Sequence, residues 1–312
     1  MKITIIGSGN VGLSCATLLA QQKLATQIIL LDIKENISKG KSLDLAQMLP
    51  LLHSDTKVLG ISNNEFDKTK NSDITIITSG YPRTPGMSRD ELININAQII
   101  LSVTKQSIIF SPKTKFIIVS NPLDVMTYVS YIVSKIDASR IIGMGGILDS
   151  IRYRYFLSKE LHCSPRDIHT VLLGTHGDYM IPLYRYTSVS GIPIHELISK
   201  EKNNVLIEKT KKGGEEIVNF LGTSSWLAPG ASILQIVESI IKDSKRILSC
   251  SVFLNGEYNL SNICLGVPIV VGKNGIEKIL ELHLNKEEKL LLIQSANQVQ
   301  NMICKLELLN EL

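Results

Sequence analysis

No two of the five cysteines, Cys15, Cys163, Cys250, Cys264 and Cys304, form a Cys-x-x-Cys pair, and their number is odd. That spacing argues against a disulfide framework or a zinc ribbon and points to a reducing compartment. No stretch holds the roughly 18 uninterrupted apolar residues of a membrane-spanning helix. The chain opens Met1-Lys2 and enters Ile3-Thr4-Ile5-Ile6 at once, without the apolar core and small-residue cleavage site of a signal peptide. A basic stripe is missing too. The net charge is only +4, and the densest run, Lys209, Lys211 and Lys212, leads into Glu215 and Glu216. A nucleic-acid binder would carry a basic face or arm. The expectation is a soluble cytoplasmic protein with no metal, no membrane and no nucleic-acid partner.

What is present is an alternation. In a chain of 312 residues, long enough for two domains with their own cores, residues 3–6, 28–31, 73–78, 116–120 and 140–143 are short, largely apolar runs. Helix-length segments lie between them at 11–22, 40–49, 90–111 and 123–134. Buried strands alternating with helices predict a doubly wound parallel (Rossmann) sheet over residues 1–145. After that the texture changes. Helices are expected at 150–161, 214–221, 232–243 and 286–312, with a strand at 170–173. Runs at 249–254 and 268–272 flank the turn signal Asn255-Gly256. Residues 146–312 are therefore expected to form a second, α+β catalytic domain.

Gly7-Ser8-Gly9-Asn10-Val11-Gly12 follows the first strand and opens the first helix. In that context the first glycine permits the tight turn. The second admits a pyrophosphate to the backbone, and the third lets helix and strand pack closely. Asp32 follows twenty residues beyond Gly12, at the end of the second strand. A carboxylate there accepts from a ribose 2′-OH and repels a 2′-phosphate, so the cofactor expected is NAD.

Other polar groups fall just beyond strand ends, where a doubly wound sheet holds its ligands. The third such strand is followed by a Pro- and Gly-rich loop carrying Arg83 and Arg89. These arginines either close over a carboxylate substrate or lie on a solvated surface. Asn121 follows the next strand. Asp149 and Arg152 stand three apart, as a structural ion pair or as functional groups on one helix face. His176, between Gly174 and Gly177, is the histidine whose setting suits catalysis; His53, His162, His169, His195 and His283 read as loop or surface residues. Oxidation of a 2-hydroxy acid removes a hydride from C2 and a proton from the hydroxyl. His176 suits the proton, Asp149 the imidazolium, Arg152 a bidentate carboxylate and Arg89 the charge on the reacting oxygen.

These motifs, in this order, resemble the lactate/malate dehydrogenase family, and most closely its bacterial lactate-dehydrogenase-like malate dehydrogenases. The likeness runs through nearly the whole chain: the glycine loop, Asp32, the loop from Arg83 to Asp90, Ser120-Asn121-Pro122-Leu123-Asp124, Leu148-Asp149-Ser150 with Arg152, and Gly174-Thr175-His176-Gly177-Asp178. The resemblance implies His176 as acid and base, Asp149 as its orienting partner, Arg152 as carboxylate binder and Arg89 as polarising residue. It implies Asn121 as a contact to substrate and nicotinamide ribose. The candidate cofactor contacts are Gly7, Ser8, Gly9, Asn10, Val11, Gly12, Asp32, Asn96, Ser120 and Asn121. A homodimer or homotetramer is the assembly the resemblance implies.

Arg83, six residues before Arg89, decides between malate and lactate. Malate dehydrogenases place an arginine there, and lactate dehydrogenases an uncharged residue. A second substrate carboxylate left unpaired in a closed site would cost several kcal/mol, so a dicarboxylate is the expected substrate. Ser225-Trp226-Leu227 stands where such relatives commonly show Ala-Tyr-Tyr, and the Ser225 hydroxyl would tolerate a smaller keto acid. Thr175, where glycine is common, is expected to change little. The alternatives are a lactate dehydrogenase on the same scaffold and a non-catalytic NAD-binding sensor.

Overall fold

The computed structural model describes residues 1–81 and 87–307. The first half alternates as its apolar runs dictate: β1 (Lys2–Ile6), α1 (Asn10–Gln21), β2 (Gln27–Asp32), α2 (Glu35–Met48), β3 (Lys57–Ser62), β4 (Ile74–Ile77), α3 (Arg89–Phe110), β5 (Lys115–Ile118), α4 (Leu123–Ser134) and β6 (Ile141–Gly143). These strands pair in parallel in the order β3-β2-β1-β4-β5-β6. The order in which strands are added reverses between β1 and β4, and the crevice at that switch point is where such sheets bind ligands. Ile3, Ile5, Ile28, Ile29, Ile74 and Ile117 are fully buried, because helices cover both faces of the sheet.

The second half comprises α5 (Gly146–Leu161), β7 (Ile168–His169), β8 (Leu172–Gly174), β9 (Met180–Pro182), β10 (Ser188–Val189), β11 (Ile192–Pro193), α6 (Lys200–Leu221), α7 (Leu227–Lys242), β12 (Arg246–Asn255), β13 (Ser261–Gly272), β14 (Gly275–Ile279) and α8 (Lys286–Ile303). β12 and β13 form the hairpin signalled by Asn255-Gly256. They extend the parallel sheet instead of standing apart from it: β12 pairs with β6 at Ser251 and Gly143, and β13 pairs with β8 at Gly266 and Gly174. Both joints are too close for side chains. A Cβ on Gly143 would lie 2.4 Å from the Thr127 hydroxyl, and one on Gly266 would lie 2.3 Å from the Gly174 carbonyl. One sheet therefore carries the strand ends of both halves to a common crevice.

Several elements differ from the sequence expectation: α2 and α7 begin at Glu35 and Leu227 rather than at 40 and 232, β7, β9, β10, β11 and β14 are additional strands, and three more differences bear on the fold. β3 carries no continuous apolar run; it is the edge strand, half-exposed, and Gly60 lies against the α2 backbone. α6 begins at Lys200 rather than 214, because its first half is polar on the solvent side and capped by Ser199, whose hydroxyl accepts from Lys202 N–H at 3.2 Å. α5 begins at Gly146, which puts Asp149 in its first turn.

Candidate active site

The glycine loop has the form its spacing predicts. Gly7 adopts φ +102°, open to glycine, and a Cβ there would strike the Ser79 backbone at 2.6 Å. A Cβ on Gly12 would lie 2.1 Å from the Gly7 carbonyl, so this glycine lets α1 pack against the turn. Among the described residues, nothing lies against Gly9 and no side chain caps the N-terminus of α1. Unbonded N–H groups at a helix N-terminus beside an unfilled flank form a cradle for an anion. The Ser8 hydroxyl is buried without a hydrogen-bond partner among the described residues. Asp32 closes the adjoining side, accepting from Ser8 N–H at 2.7 Å and Lys34 N–H at 3.0 Å. Lys41 donates to the Ser8 carbonyl at 2.8 Å. The residues present fit a dinucleotide.

Past the sheet switch point lies a cavity of about 670 Å³, lined among others by Val11, Asn96, Ser120 and Asn121 from the first half and by His176 from the second. Arg89, the first residue of α3, reaches the same cavity beside the Ser88 cap, which accepts from Glu91 N–H at 3.1 Å. Asn96 and Ser120 use their polar groups on the loops around them. The Asn96 amide accepts from Tyr81 N–H at 2.7 Å and donates to the Asn121 carbonyl at 2.9 Å; the Ser120 hydroxyl donates to the Ser79 carbonyl. These bonds tie three strand-end loops into one wall. Arg83 lies outside the described residues.

A second cavity, of about 260 Å³, adjoins the first at Asn121, Leu123 and His176 and runs to Arg152, Gly214 and Ser225. Here the two readings of Asp149 and Arg152 separate. Asp149 is buried and its Oδ2 lies 2.8 Å from Nδ1 of His176, whereas its Oδ1 is 3.9 Å from Arg152. The carboxylate is therefore committed to the imidazole more than to the guanidinium. Arg152 turns to Ser225, donating to its hydroxyl at 3.2 Å. Burial pushes the Arg152 pKa down, opposed by Asp149, and a guanidinium stays charged regardless.

His176 sits between the positive-φ glycines 174 and 177, just past the end of β8. Burial lowers the affinity of its ring for a proton, but the charge and hydrogen bond of Asp149 outweigh that and hold its pKa above the usual value. The structure thus brings His176, Asp149, Arg152, Asn121 and Arg89 around joined cavities. Cationic, acid–base and amide groups around an enclosed space can bind a carboxylate, exchange a proton and stabilise charge on an oxygen.

Asp124 is a site residue that its local sequence did not single out. Asp124 is buried in the first turn of α4, and its Oδ2 accepts from His176 N–H at 3.2 Å and from the Thr175 hydroxyl. The signal was available: it is the only charge in an otherwise apolar and hydroxylic helix. Gln298 and Met302, from α8, also line the larger cavity, and no motif marked them. Trp226 is absent from the described lining of either cavity.

Comparisons with known proteins fall on the same two halves. A family model described as lactate/malate dehydrogenase, NAD binding domain, matches residues 1–143. A second, lactate/malate dehydrogenase, alpha/beta C-terminal domain, matches residues 147–308. The chain is 51% identical over 303 residues to a protein of Cytophaga hutchinsonii named malate dehydrogenase, covering 97% of each. It is 48% identical over 299 residues to a malate dehydrogenase of Parabacteroides distasonis, covering 96% of this chain and 95% of that protein. Among solved structures, the malate dehydrogenase of Salinibacter ruber superposes with a TM-score of 0.94 at 42% identity, covering 100% of this chain and 99% of the other.

Proposed function

The chain belongs to the lactate/malate dehydrogenase family, and from that premise we propose that it interconverts malate and oxaloacetate with NAD. The observation that carries the chemistry is the buried Asp149 carboxylate 2.8 Å from His176 Nδ1, on a cavity shared with Asn121 and Arg152. When bound, NAD would supply the hydride acceptor for C2 of malate, and its reduced form the donor for the reverse direction. The cradle at Gly7 to Gly12 would hold its pyrophosphate, and Asp32 would accept from the ribose hydroxyls.

Residues 1–145 serve as the cofactor half and 146–312 as the substrate half. Arg152 binds the carboxylate next to C2 through its planar fork. His176 Nε2 takes the hydroxyl proton as malate is oxidised and gives it back as oxaloacetate is reduced. Asp149 fixes the tautomer and stabilises the imidazolium. Arg89 stabilises charge on the C2 oxygen, and Asn121 orients substrate and nicotinamide ribose. Arg83 pairs with the second carboxylate of the dicarboxylate, the role its sequence position supports.

Among the described residues no helix is long and apolar enough to cross a membrane, and all five cysteines are free. Both support a cytoplasmic placement. Membership of the family is what supports a homodimer or homotetramer.

Initial rates of NADH oxidation with oxaloacetate and with pyruvate test the proposal. Oxaloacetate is expected to win by at least about a hundredfold in kcat/KM, since an unpaired buried charge costs several kcal/mol. A preference for pyruvate would make the enzyme a lactate dehydrogenase, and no turnover with either would leave a cofactor-binding protein.

A further inference from the structure

Thr175 stands beside the histidine that exchanges the proton, at a position where a glycine would carry no side chain. It is buried, and both its polar groups are engaged. Its N–H donates to the Ser295 hydroxyl of α8 at 2.8 Å, and its own hydroxyl donates to Asp124 Oδ2. The same oxygen accepts the His176 N–H at 3.2 Å. Asp124 has no cation bridged to it among the described residues, and its other oxygen has no hydrogen-bond partner among them. A buried carboxylate depends on its donors to remain charged, and here two of them come from consecutive residues of the catalytic loop.

We propose, on the reading of His176 as proton carrier, that Thr175 is a positioning residue: its hydroxyl, with the His176 N–H, seats the loop on Asp124 and so holds the imidazole against Asp149. The groups facing His176 are Asp149 and Arg152 from α5 and Asp124 from α4, with Arg89 of α3 on the shared cavity wall. Beyond Asp124 lies the Cys264 thiol of β13, which burial holds neutral. Burial raises the Asp124 pKa, against the hydroxyls of Ser251 and Thr175 and the His176 N–H. Removing the Thr175 hydroxyl therefore acts in one direction by two routes. It makes Asp124 easier to protonate, and it loosens the ring from Asp149. Either change lowers the proton affinity of His176.

The test compares the parent with Thr175→Val, which keeps the volume and loses the hydroxyl, and Thr175→Ser, which keeps the hydroxyl. Two measurements are made on the whole protein. One is turnover of oxaloacetate with NADH, alongside NADH binding by fluorescence. The other is the pH dependence of diethyl pyrocarbonate reaction at His176, read by peptide mass spectrometry, which needs no turnover. In Thr175→Val, kcat is expected to fall about tenfold, as for loss of one hydrogen bond to a charged group, with NADH binding within about twofold. The midpoint of His176 modification is expected to move down by about half a pH unit. Thr175→Ser should match the parent in both. Parent-like values in Thr175→Val, or equal damage in Thr175→Ser, would overturn the proposal. Should Thr175→Val not fold, Thr175→Gly takes its place in the same comparison. A parent with no turnover on any 2-keto acid would strike the proposed function, while the modification midpoint still decides the role of Thr175.

Discussion

Asp149 Oδ2 lies 2.8 Å from His176 Nδ1, so the nitrogen left without a protein partner among the described residues is Nε2. The pair joins the first turn of α5 to the loop after β8, two segments brought together by the sheet that β6, β12, β13 and β8 share. Replacing Asp149 with Asn keeps the shape and removes the charge that favours imidazolium. Turnover of malate and oxaloacetate is expected to fall by at least about a hundredfold, the lower range for loss of general acid–base catalysis. NADH binding should be retained. Stopped-flow turnover with fluorescence titration of NADH checks both; unchanged turnover would remove Asp149 from the mechanism.

The pH profile follows from the same pair. Burial pushes the His176 pKa down, but Asp149, with help from Asp124, holds it above 6.5 overall. Oxaloacetate reduction requires the protonated ring. Its kcat/KM should therefore be high at acid pH and fall as pH rises through a midpoint above that of an ordinary histidine. Malate oxidation requires the neutral ring and should rise through the same midpoint. The Asp149→Asn change should move that limb to lower pH, because it removes the charge that holds the proton. A limb that stays in place would assign it to another group.

Asp32 has a structural duty as well as a binding one, since it ties Ser8 of the glycine loop and Lys34 to the end of β2. Asp32→Ala should weaken NADH binding by about tenfold, through lost ribose contacts and a looser loop. It should narrow the margin over NADPH, because the repulsion of a 2′-phosphate is gone. Dissociation constants for both nucleotides check this; a loss equal for the two would leave Asp32 without a part in discrimination.

These residues were legible because their signals are local. Gly7 to Gly12 and Asp32 announce themselves through turn geometry and spacing, and β1, β2, β4 and β5 through apolar runs. His176 could be picked out by its flanking glycines. What the sequence hides is contact between distant segments. Asp149 and Arg152 are separated by one helical turn, so spacing alone favoured an ion pair; only the loop after β8 shows which group Asp149 faces. Thr175 was expected to matter little, because the carboxylate its hydroxyl meets lies 51 positions away. β3 and the first half of α6 escaped notice because their exposure dilutes the apolar pattern. The single sheet running through both halves depends on Gly143 meeting Ser251 and Gly266 meeting Gly174, pairings that no local pattern encodes.

Substrate choice turns on charge count. In the roles proposed for them, Arg152 and Arg89 serve the carboxylate and reacting oxygen that malate and lactate share, so neither would tell the two apart. Arg83, six residues before Arg89, is the remaining cation of that loop, and a dicarboxylate is the substrate that brings a charge to match it. Arg83→Gln should therefore raise KM for oxaloacetate steeply and leave pyruvate unharmed or improved. The ratio of their kcat/KM values should move toward pyruvate by roughly a hundredfold, the effect of withdrawing the partner of a desolvated carboxylate. Ser225 bears on the outcome from the Arg152 side, since its hydroxyl accepts from Arg152 at 3.2 Å. Combining Arg83→Gln with an intact Ser225 should thus give measurable pyruvate turnover. A ratio that does not move would mean that another group reads the substituent on C3.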